Sequence, residues 1–210
     1  MIICMSDILC ITNRTLCRDD FLPRLERIAQ CAPAGILLRE KDLSASEYLC
    51  LAEKVIAICK AHHVPCILHG FVSAGIALKA AAIHLPLPLL RQMRNAQKAN
   101  FSAIGTSCHS FAEALEAEAY GCTYLIAGHI FATDCKKGMP PRGTEFLRTL
   151  CGSVSIPVYA IGGIDSRNIA SVRRAGAKGA CTMSGCMRCT DVARYLKDLE
   201  KGEPEYADQP

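Results

Sequence analysis

Eight short apolar runs, each separated from the next by a longer stretch of helical character, constrain the fold of this chain more than any other feature. The runs are rich in Ile, Val, Leu, Ala and Cys and show no polar alternation, which is typical of parallel strands buried on both faces. We therefore expect a parallel sheet with helices between its strands. The predicted strands are Ile8–Thr12, Gly35–Glu40, Cys66–Gly70, Ala82–Pro86, Ala103–Cys108, Tyr124–Phe131, Val158–Ile164 and Gly179–Ser184.

Helix-capping patterns lie in the intervals between these runs. Ser44 and Ser110 are each followed three residues later by a glutamate, which is the spacing of a capping box. Two later helices are predicted to begin at Asp165 or Ser166 and at Thr190, because Asp, Ser and Thr satisfy the free amides of a helix start. The helix predicted around residues 87–95 is the least clearly marked of the set.

Eight parallel strands with intervening helices close most economically as a (β/α)8 barrel, so we predict a single α/β TIM-barrel domain over residues 1–200. The chain has 210 residues, fewer than the roughly 250 that are typical of this fold, so its loops must be short. The structural alternative is a doubly wound open sheet, which usually carries a glycine-rich loop after its first strand. "ITNRTLCRDD" contains no such loop. The polar segment 201–210 predicts a loose tail.

Composition narrows the class of protein. Half of the residues are hydrophobic, and the net charge of +4 comes without an arginine-rich block, so no nucleic-acid partner is expected. No apolar run is long enough to span a bilayer, and "MIICMSDILC" lacks the cationic leader of a signal peptide. We predict a cytoplasmic protein without a membrane partner, and the sequence leaves both a monomer and a homodimer open.

The chain contains 14 cysteines, which in a secreted protein would suggest a disulfide framework. Cys10, Cys59, Cys66 and Cys181 instead lie inside apolar runs with no repeating spacing. They are interpreted as small buried hydrophobic residues in a reducing compartment. The single CxxC motif at residues 186–189 has no second pair beside it and gives little support for a zinc or redox site.

Polar and glycine residues follow the predicted strands at the end where barrel enzymes carry their active sites. "AIGGID" places Gly162 and Gly163 after the seventh strand, and "TMSG" places Ser184 and Gly185 after the eighth. Glycines let the backbone approach a ligand closely, and amides at such turns bind anions. These two turns predict a phosphate site, with a purely conformational role for the glycines as the alternative.

The sixth strand leads directly into His129 and then into a cationic loop, "LIAGHIFATDCKKG". An imidazole beside an anionic ligand suits proton transfer near neutral pH. We therefore expect His129 at the floor of an anion-binding pocket. The alternative is a structural histidine at a strand end.

The motifs "LLREK", "GTSCHS", "GHIFATDCKKG", "PVYAIGGID" and "GACTMSG" occur in the order and spacing of the thiamine phosphate synthase superfamily. Over residues 7–200 the chain resembles this superfamily, and "GHIFATDCKKG" with the following "RG" is similar to its TenI-type branch. The resemblance implies a (β/α)8 fold and a thiazole tautomerase. Such an isomerase of thiamine biosynthesis aromatises a phosphorylated, carboxylated dihydrothiazole by acid–base proton transfer.

The resemblance also implies roles for individual residues. His129 matches the catalytic histidine, and Lys136 matches a lysine that contacts anionic substrate groups. Arg39 and Lys41 match the pyrophosphate contacts of the synthases, and here they either bind the substrate carboxylate or form ion pairs with Glu40. His69 is a candidate substrate contact, whereas a structural role is favoured for His109. The residues that match the phosphate-binding turns are Gly162, Gly163, Ser184 and Gly185.

Departures from the superfamily pattern separate its branches. The synthases carry carboxylates after the third and fourth strands that hold magnesium, and they have a proline in the position of His129. Here the third strand reads "CILHGF" and the fourth "AIHLPLPLL", with no carboxylate in either. We therefore expect no metal and no cofactor. Two alternatives stay open: a divergent thiamine phosphate synthase, and a non-catalytic regulatory barrel that binds a thiamine intermediate.

Overall fold

The computed structural model describes residues 6–202, and within this range eight parallel strands close into one barrel. The strand order follows the chain, and the last strand pairs with the first, so that Ala180 lies opposite Ile8. The predicted (β/α)8 fold is confirmed, and closure rules out the doubly wound open sheet. The strands are β1 (Ile8–Ile11), β2 (Gly35–Leu38), β3 (Cys66–His69), β4 (Ala82–Leu85), β5 (Ala103–Cys108), β6 (Tyr124–Gly128), β7 (Val158–Ile161) and β8 (Gly179–Thr182).

Helices connect the strands and surround the barrel. Two short 3-10 helices, Arg14–Leu16 and Asp134–Lys136, lie in the loops after β1 and β6. Residues 203–210 of the predicted loose tail lie outside the described residues, and none of the helices described is long and apolar enough to cross a membrane. The helices are α1 (Phe21–Gln30), α2 (Ala45–Ala61), α3 (Val72–Ala77), α4 (Leu87–Gln92), α5 (Asn95–Lys98), α6 (Phe111–Ala119), α7 (Gly143–Ser153), α8 (Ile169–Arg174), α9 (Ser184–Arg188) and α10 (Val192–Lys201).

The predicted capping boxes differ in detail. At α2 the box is complete, since the Ser44 hydroxyl accepts from the Glu47 amide and the Glu47 carboxylate accepts from the Ser44 amide at 2.8 Å. At α6 the Ser110 hydroxyl caps the Glu113 amide, but the Glu113 carboxylate accepts from the amide of His109 instead. At both helices a loop serine therefore caps one first-turn amide, and a glutamate of the helix caps one amide of the loop.

Two other predicted caps are wrong. α8 begins at Ile169, after a turn in which the Asn168 side chain accepts from the Asp165 amide at 2.9 Å. This local bond holds residues 165–168 in a non-helical turn and delays the helix. α10 is capped by Asp191 rather than Thr190, through a 2.9 Å bond from the amide of Arg194.

The barrel interior changes character along its axis. Its middle is apolar, with Leu37, Ile67 and Tyr124 among the buried side chains. Successive side chains of a strand alternate between faces, so the inward positions two residues further along β3 and β4 are histidines. The register places these histidines, His69 and His84, opposite each other. The interior therefore becomes polar at the carboxyl end of the strands.

The cysteines that the structure describes are all free of disulfides. Cys10, Cys59 and Cys181 are buried, which confirms their interpretation as small core residues, whereas Cys66 is only half-buried. Cys66 is the first residue of β3.

A buried tyrosine ties α2 to the barrel beside this polar end. The hydroxyl of Tyr48 donates to the carbonyl oxygen of Leu38 at 2.8 Å and accepts from the amide of His69 at 2.8 Å. Both bonds are buried, and the side chain is fully inaccessible. The phenol therefore holds the carboxyl ends of β2 and β3 at a fixed separation from the helix.

We predict that Tyr48→Phe lowers the unfolding free energy by about 1–3 kcal/mol, because it leaves a buried carbonyl and a buried amide without a partner. Urea denaturation of the purified protein measures this loss. Tyr120→Phe, at a position 39% exposed, is the matched control and should change stability by less than about 0.5 kcal/mol. Equal effects of the two substitutions would contradict the structural role of Tyr48.

Candidate active site

His129 is the first residue after β6, and its side chain is 8% exposed. Its Nε2 lies 3.3 Å from the carbonyl oxygen of Met139, and its own carbonyl accepts from the amide of Arg142 at 3.0 Å. A carbonyl can only accept, so this contact requires a proton on Nε2 and leaves Nδ1 as the nitrogen with a free lone pair. The loop that follows β6 thus folds back on His129 and fixes its tautomer.

The glycine turn after β7 packs against this histidine. Gly162 and Gly163 have φ angles of +103° and +64°, which disfavour residues with a Cβ. A Cβ at Gly162 would overlap the Cβ of His129 and lie 2.8 Å from its Cα. The amide of Phe131 also donates to the carbonyl of Gly162 at 3.0 Å. The predicted phosphate turn and the predicted base are therefore in direct contact.

The second predicted phosphate turn forms the start of α9. Ser184 and Gly185 are its first two residues, directly after β8 and Met183. The first amides of a helix have no partner within it. Gly185 packs against the phenol of Tyr195, whose hydroxyl lies 2.6 Å from Thr182 Oγ1 and whose pKa is raised to about 12 by burial. Because β7 and β8 are neighbours, the two turns lie side by side.

Cationic side chains surround the same end of the barrel. Arg39 follows β2 directly, and Lys41 lies two residues further on. The pKa of Lys41 is lowered by partial burial and then by the charges of Arg39 and Lys136, so both of these cations lie close enough to act on Lys41. Like charges gathered in this way favour an anionic ligand.

Glu40 does not form the ion pairs considered for Arg39 and Lys41. Its buried carboxylate accepts from the Thr12 hydroxyl at 2.6 Å and from the backbone amide and guanidinium of Arg14. The preference for Arg14 follows from position, since β1 and β2 are adjacent and both residues follow their strands. Glu40 therefore links the carboxyl ends of β1 and β2. It does not neutralise the cationic mouth of the barrel, formed by Arg39, Lys41 and Lys136.

Two neutral histidines lie within this mouth. The pKa of His69 is lowered to about 4 by burial and by the charges of Arg39 and Lys41. The pKa of His84 is lowered to about 3 by burial, by His69 and by Arg39. Their rings stack with centroids 5.8 Å apart. The structure therefore places His69 beside Arg39 and Lys41. His84 gave no sequence signal beyond its place at the end of β4.

His109 has an indirect relation to the site. Its side chain is exposed, and its Nδ1 lies 2.9 Å from the carbonyl oxygen of Gly128, the residue before His129. This contact restrains the backbone that carries His129. The structural role favoured for His109 from the sequence agrees with this arrangement.

The residues at the strand ends do not fit magnesium. Magnesium takes hard oxygen ligands, but β3 and β4 end in His69 and in "HL" rather than in carboxylates. Within residues 6–202 no group of three or more His, Cys, Asp or Glu side chains is arranged to hold a metal ion. Glu40, the buried acid of this region, is already bonded to Thr12 and Arg14.

The fold and the site define a (β/α)8 barrel with an anion-attracting mouth, and comparisons with known proteins identify the family. Residues 8–186 match the family model described as thiamine monophosphate synthase, TMP-TENI. The chain belongs to this family.

Similar proteins carry the synthase name. Thiamine-phosphate synthase 2 of Streptococcus pneumoniae is 32% identical over 86% of this chain and 89% of its own length. Thiamine-phosphate synthase of Syntrophomonas wolfei is 31% identical over 90% of this chain and 93% of its own. The structure of a thiamine phosphate pyrophosphorylase from Pyrococcus furiosus superposes with a TM-score of 0.80 at 27% identity, covering 94% of both chains.

We predict that Gly162→Ala displaces His129 and lowers the unfolding free energy by about 1–3 kcal/mol, because the added methyl group has no space. Thermal unfolding measures the loss. Gly152→Ala is the control, since that helical glycine has no atom within 4 Å of the added Cβ. It should stabilise the protein by about 0.5–1 kcal/mol through helix propensity. A neutral Gly162→Ala would show that the turn and His129 are not in contact.

The stability of the protein should depend on pH through His84. The lowered pKa of His84 means that the unfolded chain binds its proton more readily than the folded chain does, from about pH 6.5 down to about 3. Stability should therefore fall as the pH is lowered through this window. His84→Gln removes this group, so between pH 6 and 4.5 its unfolding free energy should fall less steeply, by up to about 1.4 kcal/mol per pH unit. Parallel stability curves for the two proteins would contradict the burial of a neutral His84.

Proposed function

We propose that this protein is a thiazole tautomerase, an isomerase that aromatises a phosphorylated carboxy-dihydrothiazole. The observation that carries the proposal is the packing of His129 against Gly162. It sets a general base beside a turn suited to phosphate, in a mouth lined by cations. Membership of the thiamine monophosphate synthase family supports a phosphorylated thiamine precursor as the ligand.

On this proposal the phosphate binds to the backbone amides of the turns at Gly162–Gly163 and Ser184–Gly185. Helix starts and glycine turns suit a doubly charged phosphate, since their amide hydrogens point outward. Arg39, Lys41 and Lys136 attract the remaining negative charge, which includes the carboxylate. The substrate is a small soluble molecule, so a cytoplasmic location and the absence of nucleic-acid and membrane partners remain our expectations.

The chemistry is a proton shift with no net change in composition. Nδ1 of His129, left free by the bond from Nε2 to Met139, takes the proton from the ring carbon that bears the carboxylate. That carbon–hydrogen bond breaks, its electron pair enters the conjugated ring system, and the imidazole becomes protonated. The imidazolium then returns a proton to the exocyclic carbon, and the ring becomes aromatic. The enzyme lowers the barrier by positioning the substrate and by holding a base beside the carbon that loses the proton.

A second candidate is thiamine-phosphate synthase, the name carried by the similar proteins. The names of the similar proteins support this transferase activity better than the tautomerase. The ends of β3 and β4 favour the tautomerase, because they carry no carboxylate. The two activities are separated by one pair of assays. The tautomerase should turn over after exhaustive chelation and should form no thiamine phosphate from a pyrimidine pyrophosphate and a thiazole phosphate. Magnesium-dependent thiamine phosphate formation would establish the synthase instead.

We predict that His129→Asn reduces tautomerisation by about 10²–10⁴-fold, the usual contribution of general acid–base catalysis. Asparagine has similar bulk and can hydrogen-bond, but it cannot carry the proton. Affinity for the aromatic product should change little, because the two phosphate turns are intact. Steady-state kinetics and isothermal titration calorimetry measure the two effects.

The comparison variant is Ser184→Ala, which should weaken product binding more than it slows the bound-state step. If His129→Asn turns over within a few-fold of the natural protein, His129 is structural. His69 would then be the next candidate base.

A further inference from the structure

Three side chains from neighbouring strands form a chain of hydrogen bonds that the proposed reaction does not use. The hydroxyl of Tyr124, on β6, lies 3.1 Å from Nδ1 of His84, on β4. Nε2 of His84 lies 2.9 Å from Oγ of Ser107, on β5. Tyr124 and His84 are buried, while Ser107 is half-buried at the carboxyl end of its strand. This series of hydrogen bonds therefore runs from the barrel interior to its mouth.

The glycine between these residues allows the arrangement. Gly105 lies on β5 opposite both His84 and Tyr124 in the strand register. A Cβ at Gly105 would overlap the ring of Tyr124. The phenol therefore lies over the backbone of β5 and reaches His84 because position 105 has no side chain.

The direction in which the hydrogens are donated along this series follows from the donors available. Tyr124 and His84 are both neutral, since burial raises the pKa of the phenol and lowers that of the imidazole. A neutral imidazole has one donor and one acceptor. If the phenol donates to Nδ1, Nε2 carries the hydrogen and donates to Ser107. The reverse direction would leave the buried phenol hydrogen without an acceptor among the described bonds, which is costly.

In this direction Ser107 accepts from His84, and its own hydroxyl hydrogen has no acceptor among the bonds of the described residues. Ser107 pairs with Ile126 of β6, two residues before Gly128, so it lies beside the strand that carries His129. Each bond in such a chain polarises the next, which makes the terminal hydroxyl a better donor. An anionic ligand bound at this end of the barrel would accept the hydroxyl hydrogen of Ser107.

We propose that Ser107 donates a hydrogen bond to the carboxylate of the substrate, and that His84 and Tyr124 are positioning residues that fix the direction of its hydroxyl. The identity of the ligand rests on the proposed tautomerase function. Removing the proton beside a carboxylate spreads negative charge onto the carboxylate oxygens. A fixed donor at those oxygens therefore binds the transition state more tightly than the ground state.

The tautomer of His84 is the first test, and it needs no substrate. Nitrogen-15 NMR of the histidine-labelled protein distinguishes the two neutral tautomers, with His84 assigned by the signals lost in His84→Gln. We expect the hydrogen on Nε2, and we expect Tyr124→Phe to increase the tautomer with the hydrogen on Nδ1. A hydrogen on Nδ1 in the natural protein would overturn the proposed direction.

The second test measures recognition of the carboxylate. The ratio of affinities for the aromatic thiazole phosphate with and without its carboxylate should fall about tenfold in Ser107→Ala, as for a lost hydrogen bond to a charged group. Ser102→Ala is the matched control at the opposite end of β5, where the hydroxyl donates to the carbonyl of Ala81. It should leave the ratio unchanged. An unchanged ratio in Ser107→Ala would overturn the contact.

The third test separates positioning from structure. If His84 acts through Ser107, His84→Gln should lower kcat more than it raises KM, and it should have little further effect in the Ser107→Ala background. Additive losses would overturn the positioning role. If the natural protein does not aromatise the dihydrothiazole at all, the proposed function fails. The NMR and affinity-ratio tests still decide whether Ser107 is an oriented donor for a carboxylate.

Discussion

The close contact between Gly162 and His129 determines how the site is built. β6 and β7 remain paired beyond their formal ends, through bonds from Ile130 to Ile161 and from Phe131 to Gly162. This continued pairing brings the backbone of His129 against position 162, and no side chain fits between them. The turn suited to phosphate and the candidate base are therefore positioned by one interaction, and neither can move without the other.

Electrostatics at the mouth follow from the same geometry. Arg39, Lys41 and Lys136 bring positive charge to the rim of the barrel, and the buried carboxylate of Glu40 is bonded to Thr12 and Arg14 rather than to these cations. Beneath that rim, burial and the cations together keep His69 and His84 neutral. The result is a surface that attracts an anion above an interior that can donate and accept hydrogen bonds without charge. This combination suits isomerisation of a charged small molecule.

Much of this arrangement could be predicted from the sequence, because strand ends in a parallel barrel converge at one edge. Continuous apolar runs gave the eight strands, and their last residues gave His69, His129 and the two glycine turns. The parts that could not be predicted depend on contacts between distant residues. The bond of Glu40 to Arg14 needed the pairing of β1 with β2. The start of α8 at Ile169 needed the local turn at residues 165–168, in which the Asn168 side chain accepts from the Asp165 amide. The link from Tyr124 through His84 to Ser107 needed the space above Gly105, which no spacing pattern reveals.

The central claim is that His129 carries a proton between two carbons of a phosphorylated carboxy-dihydrothiazole. Proton NMR of the reaction in deuterium oxide tests it directly. We expect aromatisation well above the uncatalysed rate in the presence of chelator. Because His129 is only 8% exposed, part of the product should keep the substrate's own hydrogen at the exocyclic carbon. Aromatisation no faster than the uncatalysed reaction would contradict the account.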